Sequence, residues 1–424
     1  MALSATRTQT RYESAGLFVG PSPATGNHFA SGIFGQTGSF ATGAAAHQGN
    51  ALGNNLIRPL FRVQSFSDSF DNTIENVNQL GQATAIAKIA NSAPTPTFDF
   101  TYFTNDGLNE SILGFPVGLR NGTVSGNETG LFNCLSGILD GTQDSKNYFA
   151  QFVPEGNSQI GSTVLANSGS FVVSLSNGFI TNYELSASVG SFMESTVSVE
   201  GSNYVVNSNS TGNTSPAVNP ADGTKITGWE FDLPSVNQSS TGAGGNSVTP
   251  VVIKQGGIKL NVDSLTGAFG VDIGRSNLNS FTVSVPVPRD PLERLGNDFV
   301  FARPVQTPVD GTVSFDFSAT DFQTGALFDL FKGTTASEFN FDIVTSAVTG
   351  FGSSKPVDKD VFAVVVRGAT FESENNSLDI GSARNGSVTF QVPLGTKDET
   401  GKGIFFSGAV TSAELNARYP GRTT

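Results

Sequence analysis

The 424-residue chain holds 49 Gly, 35 Phe and 19 Pro, with only 2 His, 2 Met, 1 Trp and 1 Cys, and its net charge is -13. A single cysteine excludes an intrachain disulfide, two histidines leave a Cys/His zinc site without ligands, and the acidic balance argues against a chain that grips nucleic acid, which needs clustered Lys and Arg. Phe, Val and Thr broken by frequent Gly, Asn and Ser describe short strands joined by turns, so the expected class is mainly β.

The first residues, MALSATRTQTRYESAGLFVG, contain no apolar run of signal-peptide length, and no later stretch approaches a membrane span. Folding in a reducing cytoplasm is the expectation. The Gly/Ala-rich run that follows carries both His28 and His47 and is expected to order only against a neighbour. FRVQSFSDSF (61–70) alternates, with Phe66 and Phe70 on one face and Ser65, Ser67 and Ser69 on the other. A loop containing Leu80-Gly81 leads to a second alternating strand, TFDFTYF. Asp106 then stands where an N-cap would, ahead of GLNESILGF, whose Leu108, Ile112 and Phe115 fall at roughly helical spacing. The segments NYFAQFV, FVVSLS, NYELSASVG and STVSVEG read as further strands. Two polar stretches, NSNSTGNTSPAVNPADGT and VNQSSTGAGGNS, flank the apolar island ITGWEFDLPSV and read as linker or loop.

The second half repeats the first. An offset of 215 aligns residues 63–106 with 278–321 without a gap, matching Ser65 with Ser280, Phe66 with Phe281, Leu80 with Leu295, Gly81 with Gly296 and Phe100 with Phe315. Further on the offset falls to 191, where Phe171 meets Phe362, Gly190 meets Gly381 and Val197 meets Val388, and where NYFAQFV meets EFNFDIV. The change implies about 24 extra residues in the first copy, placed at 116–146, with Cys134 in that insertion rather than in the shared core and expected to be a buried structural thiol. In the second copy Phe281, Val283, Val285 and Val287 share one strand face, and Asp321 precedes a second short helix carrying Leu327, Phe328 and Phe331. The chain therefore divides into related domains at 1–205 and 250–424, joined by 206–249. Each is expected to be a β-sandwich, or an α+β domain, with one short flanking helix.

The densest charge cluster is PRDPLERLGNDF (288–299). A carboxylate pair for hydrolysis could be drawn from Asp290 and Glu293, or from Glu372 and Glu374. The first copy substitutes Glu75 and Asn78, and Thr181 and Tyr183, so neither pair is kept between copies. Neither histidine stands near a nucleophile motif, and no phosphate-binding glycine loop occurs. No cofactor, metal or catalytic residue is expected, and the chain reads as a non-enzyme.

RVQSFSDSFDNTIENVNQLGQ, PTPTFDFTYFTNDGLNESILGF and NYELSASVGSFMESTVSVEG together resemble the major tail (tail tube) proteins of tailed bacteriophages, most of all the form with two tube domains in one chain. The resemblance covers about 60–200 well and 250–395 more loosely. It implies two tandem β-sandwich tail-tube domains, a homotrimer closing a pseudo-hexameric ring, and rings stacked into a hollow tube through which double-stranded DNA passes without specific binding. It also implies tape-measure and tail-terminator proteins as partners, no membrane, and a place in the virion tail after synthesis in the host bacterial cytoplasm. A decoration protein, a baseplate ring component or a glycan-binding adhesin is the alternative. Within this reading Arg289, Asp290, Glu293 and Arg294 are expected to contact a neighbouring subunit.

Overall fold

The computed structural model describes residues 15–21, 57–90, 95–104, 107–119, 132–139, 145–153, 171–208, 258–262, 277–293, 302–318, 338–349, 357–377, 385–396 and 401–408, with isolated positions at 216, 218, 224, 233, 295, 296, 299, 300 and 399. In the first half the strands are β1 (Ala15–Pro21), β2 (Arg58–Pro59), β3 (Val63–Asp71), β4 (Ile74–Val77), β5 (Ala87–Ala90), β6 (Thr95–Phe103), β7 (Val117–Leu119), β8 (Ser145–Phe152), β9 (Phe171–Ser188), β10 (Glu194–Glu200) and β11 (Asn203–Ser208). Two short helices accompany them, α1 (Leu108–Leu113) and α2 (Ser136–Leu139). The second half supplies β12 (Ile258–Val262), β13 (Asn277–Pro286), β14 (Val309–Ser318), β15 (Glu338–Thr349), β16 (Val357–Ser377), β17 (Asn385–Leu394) and β18 (Gly403–Gly408). The protein is mainly β.

One 16-stranded sheet runs through both halves in the order β12-β15-β16-β17-β14-β13-β9-β10-β6-β3, and β4 and β5 form a separate hairpin. The offsets read from the sequence reappear as strand register. Ser69 lies opposite Thr97 and Ser284 opposite Thr312, both 215 residues on. Glu194 lies opposite Phe103 and Ser186, as Asn385 lies opposite Ser318 and Ser377. Alternation places Phe98, Phe100 and Tyr102 of β6, and Val313, Phe315 and Phe317 of β14, in the core.

FVVSLS and NYELSASVG are not two strands but one, the 18-residue β9, and β16 is its 21-residue counterpart. Each bends at a residue with positive φ, Asn177 at 48° and Gly368 at 67°, which are 191 residues apart. The bend lets one strand serve two sets of neighbours: the first part of β9 pairs with β8 and β11, and the last part with β10 and β13. It also frees a backbone N–H, which an asparagine takes up in both places. Asn177 N–H donates to Asn147 Oδ1 at 3.0 Å and Gly368 N–H to Asn340 Oδ1 at 2.9 Å.

Those asparagines also correct the expected alignment. Phe171 pairs with Phe152 but Phe362 with Thr345, so β15 follows β8 at 193 rather than 191. The two-residue slip preserves the faces, because strand periodicity is two. Cys134 is buried, as expected of a structural thiol, and its segment packs into the core: Cys134, Leu135 and Ile138 are buried with residues of both halves, Cys134 N–H donates to the Ile404 carbonyl at 2.7 Å, and β7 pairs in parallel with β18. Burial pushes the Cys134 thiol pKa upward, as for an inert structural cysteine.

The helix expected after Asp106 is α1, though its N-terminal position is taken by Gly107 (φ 79°) without a side-chain cap. Asp106, Asp321 and the second expected helix, with Leu327, Phe328 and Phe331, lie outside the described residues. So do His28, His47 and most of the linker.

Candidate functional site

The internal repeat makes the same edge available twice, once used and once open. In the middle of the sheet β13 pairs with the last part of β9, Ser280 opposite Ser188 through Pro286 opposite Asn182. There Phe281, Val283, Val285 and Val287 are all buried. The counterpart of β13 is β3, which among the described residues pairs only with β6 and is exposed along most of its length. Phe70 is 58% exposed, whereas Val285, 215 residues on, is 0% exposed. The counterpart of the last part of β9 is the end of β16. Its residues 373–377 pair with β17 on one side and, among the described residues, with no strand on the other. Two complementary strand edges thus stand at opposite ends of one pattern whose joined form is seen within the chain.

Beside each edge projects an arm. In the first, β4 and β5 pair Ile74 with Ala90 and Val77 with Ala87. In the second, isolated bridges join Arg289 to Val305 and Leu292 to Ala302, the same pairs shifted by 215. The Leu-Gly dipeptide is the tip of both. Gly81 and Gly296 have φ of 88° and 87°, a conformation that a β-carbon resists. Gln82 N–H donates to the Gln79 carbonyl at 3.3 Å, closing a turn with glycine third, as type II requires. Leu80 and Leu295, just before each glycine, are fully exposed.

The described residues of PRDPLERLGNDF therefore belong to the outgoing limb and tip of the second arm. Arg289 turns inward: its Nε donates to the Ile180 carbonyl at 2.8 Å, one terminal nitrogen donates to the Arg303 carbonyl at 2.8 Å, and the guanidinium lies 5.0 Å from the Phe179 ring centre. Asp290 is exposed and accepts from the Gln306 amide, Glu293 is exposed, and Arg294 lies outside the described residues. Glu372 is exposed and Glu374 half-buried.

Sequence reasoning missed Arg303 and Glu200. Arg303, 5% exposed, donates to the Glu200 carboxylate at 2.5 Å and to Thr95 Oγ1 at 3.5 Å. Burial pulls the Arg303 pKa down, and Glu200 opposes it. Together with Arg289, this residue pins the second arm onto β9, β10 and the start of β6. Glu200→Gln removes the charge from the more exposed partner (35%) and leaves the buried guanidinium uncompensated. The expected cost is about 1–3 kcal/mol in urea unfolding.

A buried polar cluster backs the same junction. Tyr102 and Tyr183 each donate to Glu110 Oε1, at 3.0 and 3.2 Å, and Tyr183 Oη lies 3.1 Å from Ser195 Oγ. Burial first, then the Glu110 carboxylate, holds both tyrosines well above their ordinary pKa of 10.0. Stability from a raised pKa is fully present below the unfolded value and is lost as pH rises beyond it. Unfolding free energy is therefore expected to fall above pH 10, by up to about 1.4 kcal/mol per pH unit for each tyrosine. Tyr183→Phe should flatten that slope in alkaline urea titrations.

Among the described residues no helix is long and apolar enough to cross a membrane, and no group of three His, Cys, Asp or Glu side chains is placed to hold a metal ion. The chain matches no protein-family model and no curated protein sequence.

Proposed function

We propose that this protein is a structural subunit of a phage tail tube, built from two tandem related β-sandwich domains, each with a flanking helix. Three chains close head to tail into a pseudo-hexameric ring, and rings stack into the hollow conduit for double-stranded DNA. One observation carries the reading: the β13–β9 junction inside the chain is a finished copy of the contact that β3 and the end of β16 leave open among the described residues. Identical heterologous contacts produce either a closed ring or an open helix, and two pseudo-equivalent units per chain let six contacts close with three chains.

The net charge of -13 suits a lumen that repels phosphate and so keeps DNA from sticking. The exposed Leu80 and Leu295 tips supply apolar contacts beyond the ring, where successive rings meet. Tape-measure and tail-terminator proteins are the expected partners, and the virion tail is the expected location. The chain acts without catalysis or cofactor. Negative-stain microscopy of the concentrated protein tests the proposal: rings and tubes with a regular axial repeat are expected, and a protein that stays monomeric at every concentration would refute it.

A further inference from the structure

Two arms of shared design meet different surroundings. The second rests on the first repeat of its own chain, and the first projects from the fold with Ile74 56% exposed and Lys88 and Ile89 exposed. We infer that the first arm seats on the second repeat of another copy of this chain, with Lys88 against that copy's Asp310 and Ile74 over its Thr370. This rests on the head-to-tail assembly proposed above.

The seat is fixed by the contacts of the second arm. Moving that arm back by 215 puts Lys88 where Arg303 stands and Ile74 where Arg289 stands. Moving its surroundings forward, by 215 for β6 and by 191 for β9 and β10, puts Asp310 at the place of Thr95, Gln391 at that of Glu200 and Phe371 at that of Ile180. The charge complementarity survives although none of the residue types does. Inside the chain an arginine meets a carboxylate from β10. Between chains a lysine meets a carboxylate from the start of β14, where Asp310 is exposed and already accepts from the Gln391 amide at 3.3 Å.

The second contact changes character in both partners at once. Arg289, over the Phe179 ring and on the Ile180 carbonyl, becomes Ile74, while Thr370, beside Gln391 on the outer face, takes the place of Phe179 and offers its methyl group; Phe371 turns inward, 6.1 Å from the Phe390 ring centre. A cation left at position 74 would find threonine, Thr370, in place of the Phe179 ring. The same transposition sets the strand register, Ser67 opposite Ser377, Ser69 opposite Asn375 and Asp71 opposite Ser373.

The test is charge reversal in the full-length chain, read as the concentration at which oligomers form in light scattering, with thermal unfolding of the unassembled chain confirming that these exposed substitutions leave it folded. Lys88→Glu and Asp310→Lys are each expected to raise that concentration about tenfold or more, and the double variant to return it to within about threefold of the parent. Single variants that assemble like the parent, or a double variant that is not rescued, overturn the inference, and parent rings in that experiment leave the tube proposal standing. Discrete oligomers that obey the charge reversal without stacking support this inference and refute the tube. A parent chain that never oligomerises overturns both.

Discussion

Phe70→Asp is expected to abolish ring formation while leaving the single chain folded. Phe70 is 58% exposed at the outer end of β3, with Tyr204 as its aromatic neighbour at 5.7 Å, so the isolated chain should lose no more than about 1 kcal/mol. In the head-to-tail pairing the same position is opposite Glu374, one residue from Ser373 and Asn375. An aspartate there places like charges across a strand pair and takes an unpaired carboxylate out of water, and assembly should weaken on the order of a hundredfold or more. The control is built into the repeat. Val285→Asp alters the equivalent residue where the junction is already closed, and a fully buried charge at that point should unfold the chain itself. Sedimentation and circular dichroism of the two variants should separate sharply: a folded monomer for the first, an unfolded chain for the second.

Among changes that keep the core apolar, the largest effect on stability is expected at Phe390. It is fully buried in β17 and its ring centre lies within 5.5–6.2 Å of those of Phe315, Phe339, Phe341 and Phe371. Edge-to-face and tilted contacts of this kind add to the burial of the ring itself. Phe390→Ala opens a cavity bounded by four large side chains that cannot easily collapse into it, at an expected cost of about 3–5 kcal/mol in urea unfolding. Phe390→Leu should recover most of that loss. The counterpart in the first repeat is Val199, so the first repeat keeps only the Phe100–Tyr148 pair of this cluster, the equivalent of Phe315 and Phe341.

Much of the strand architecture was legible because it rests on local pattern. The alternation of Phe281, Val283, Val285 and Val287, and of Phe98, Phe100 and Tyr102, maps directly onto buried faces. The Leu-Gly match at 80–81 and 295–296 identified equivalent corners, since glycine is what a left-handed tip requires. What stayed hidden depends on contacts between distant residues. Glu200 and Arg303 are 103 positions apart, and nothing near either one announces the pair. Asn147 and Asn340 bond to backbone bends 30 and 28 residues away, a role their polar neighbourhoods do not reveal and one that resets the alignment by two. Cys134 is drawn into the core by β18 from the far end of the chain.

The charges of PRDPLERLGNDF, the most conspicuous feature of the sequence, have separate fates. Arg289 is spent on the chain's own first repeat, and Asp290 and Glu293 remain at the surface. The unremarkable QATAIAKIA, whose Lys88 and Ile89 are exposed on the first arm, carries the more informative contact surface. Composition did not signal this, because the difference lies in which of two equivalent arms has found its seat.

Head-to-tail closure of three chains is the central claim, and native mass spectrometry of the isolated ring tests it most directly. A closed species of three chains is predicted, lost in Phe70→Asp, weakened in Lys88→Glu and in Asp310→Lys, and recovered when those two charge reversals are combined. A ring of six chains, or a species of two chains unaffected by these substitutions, would contradict it.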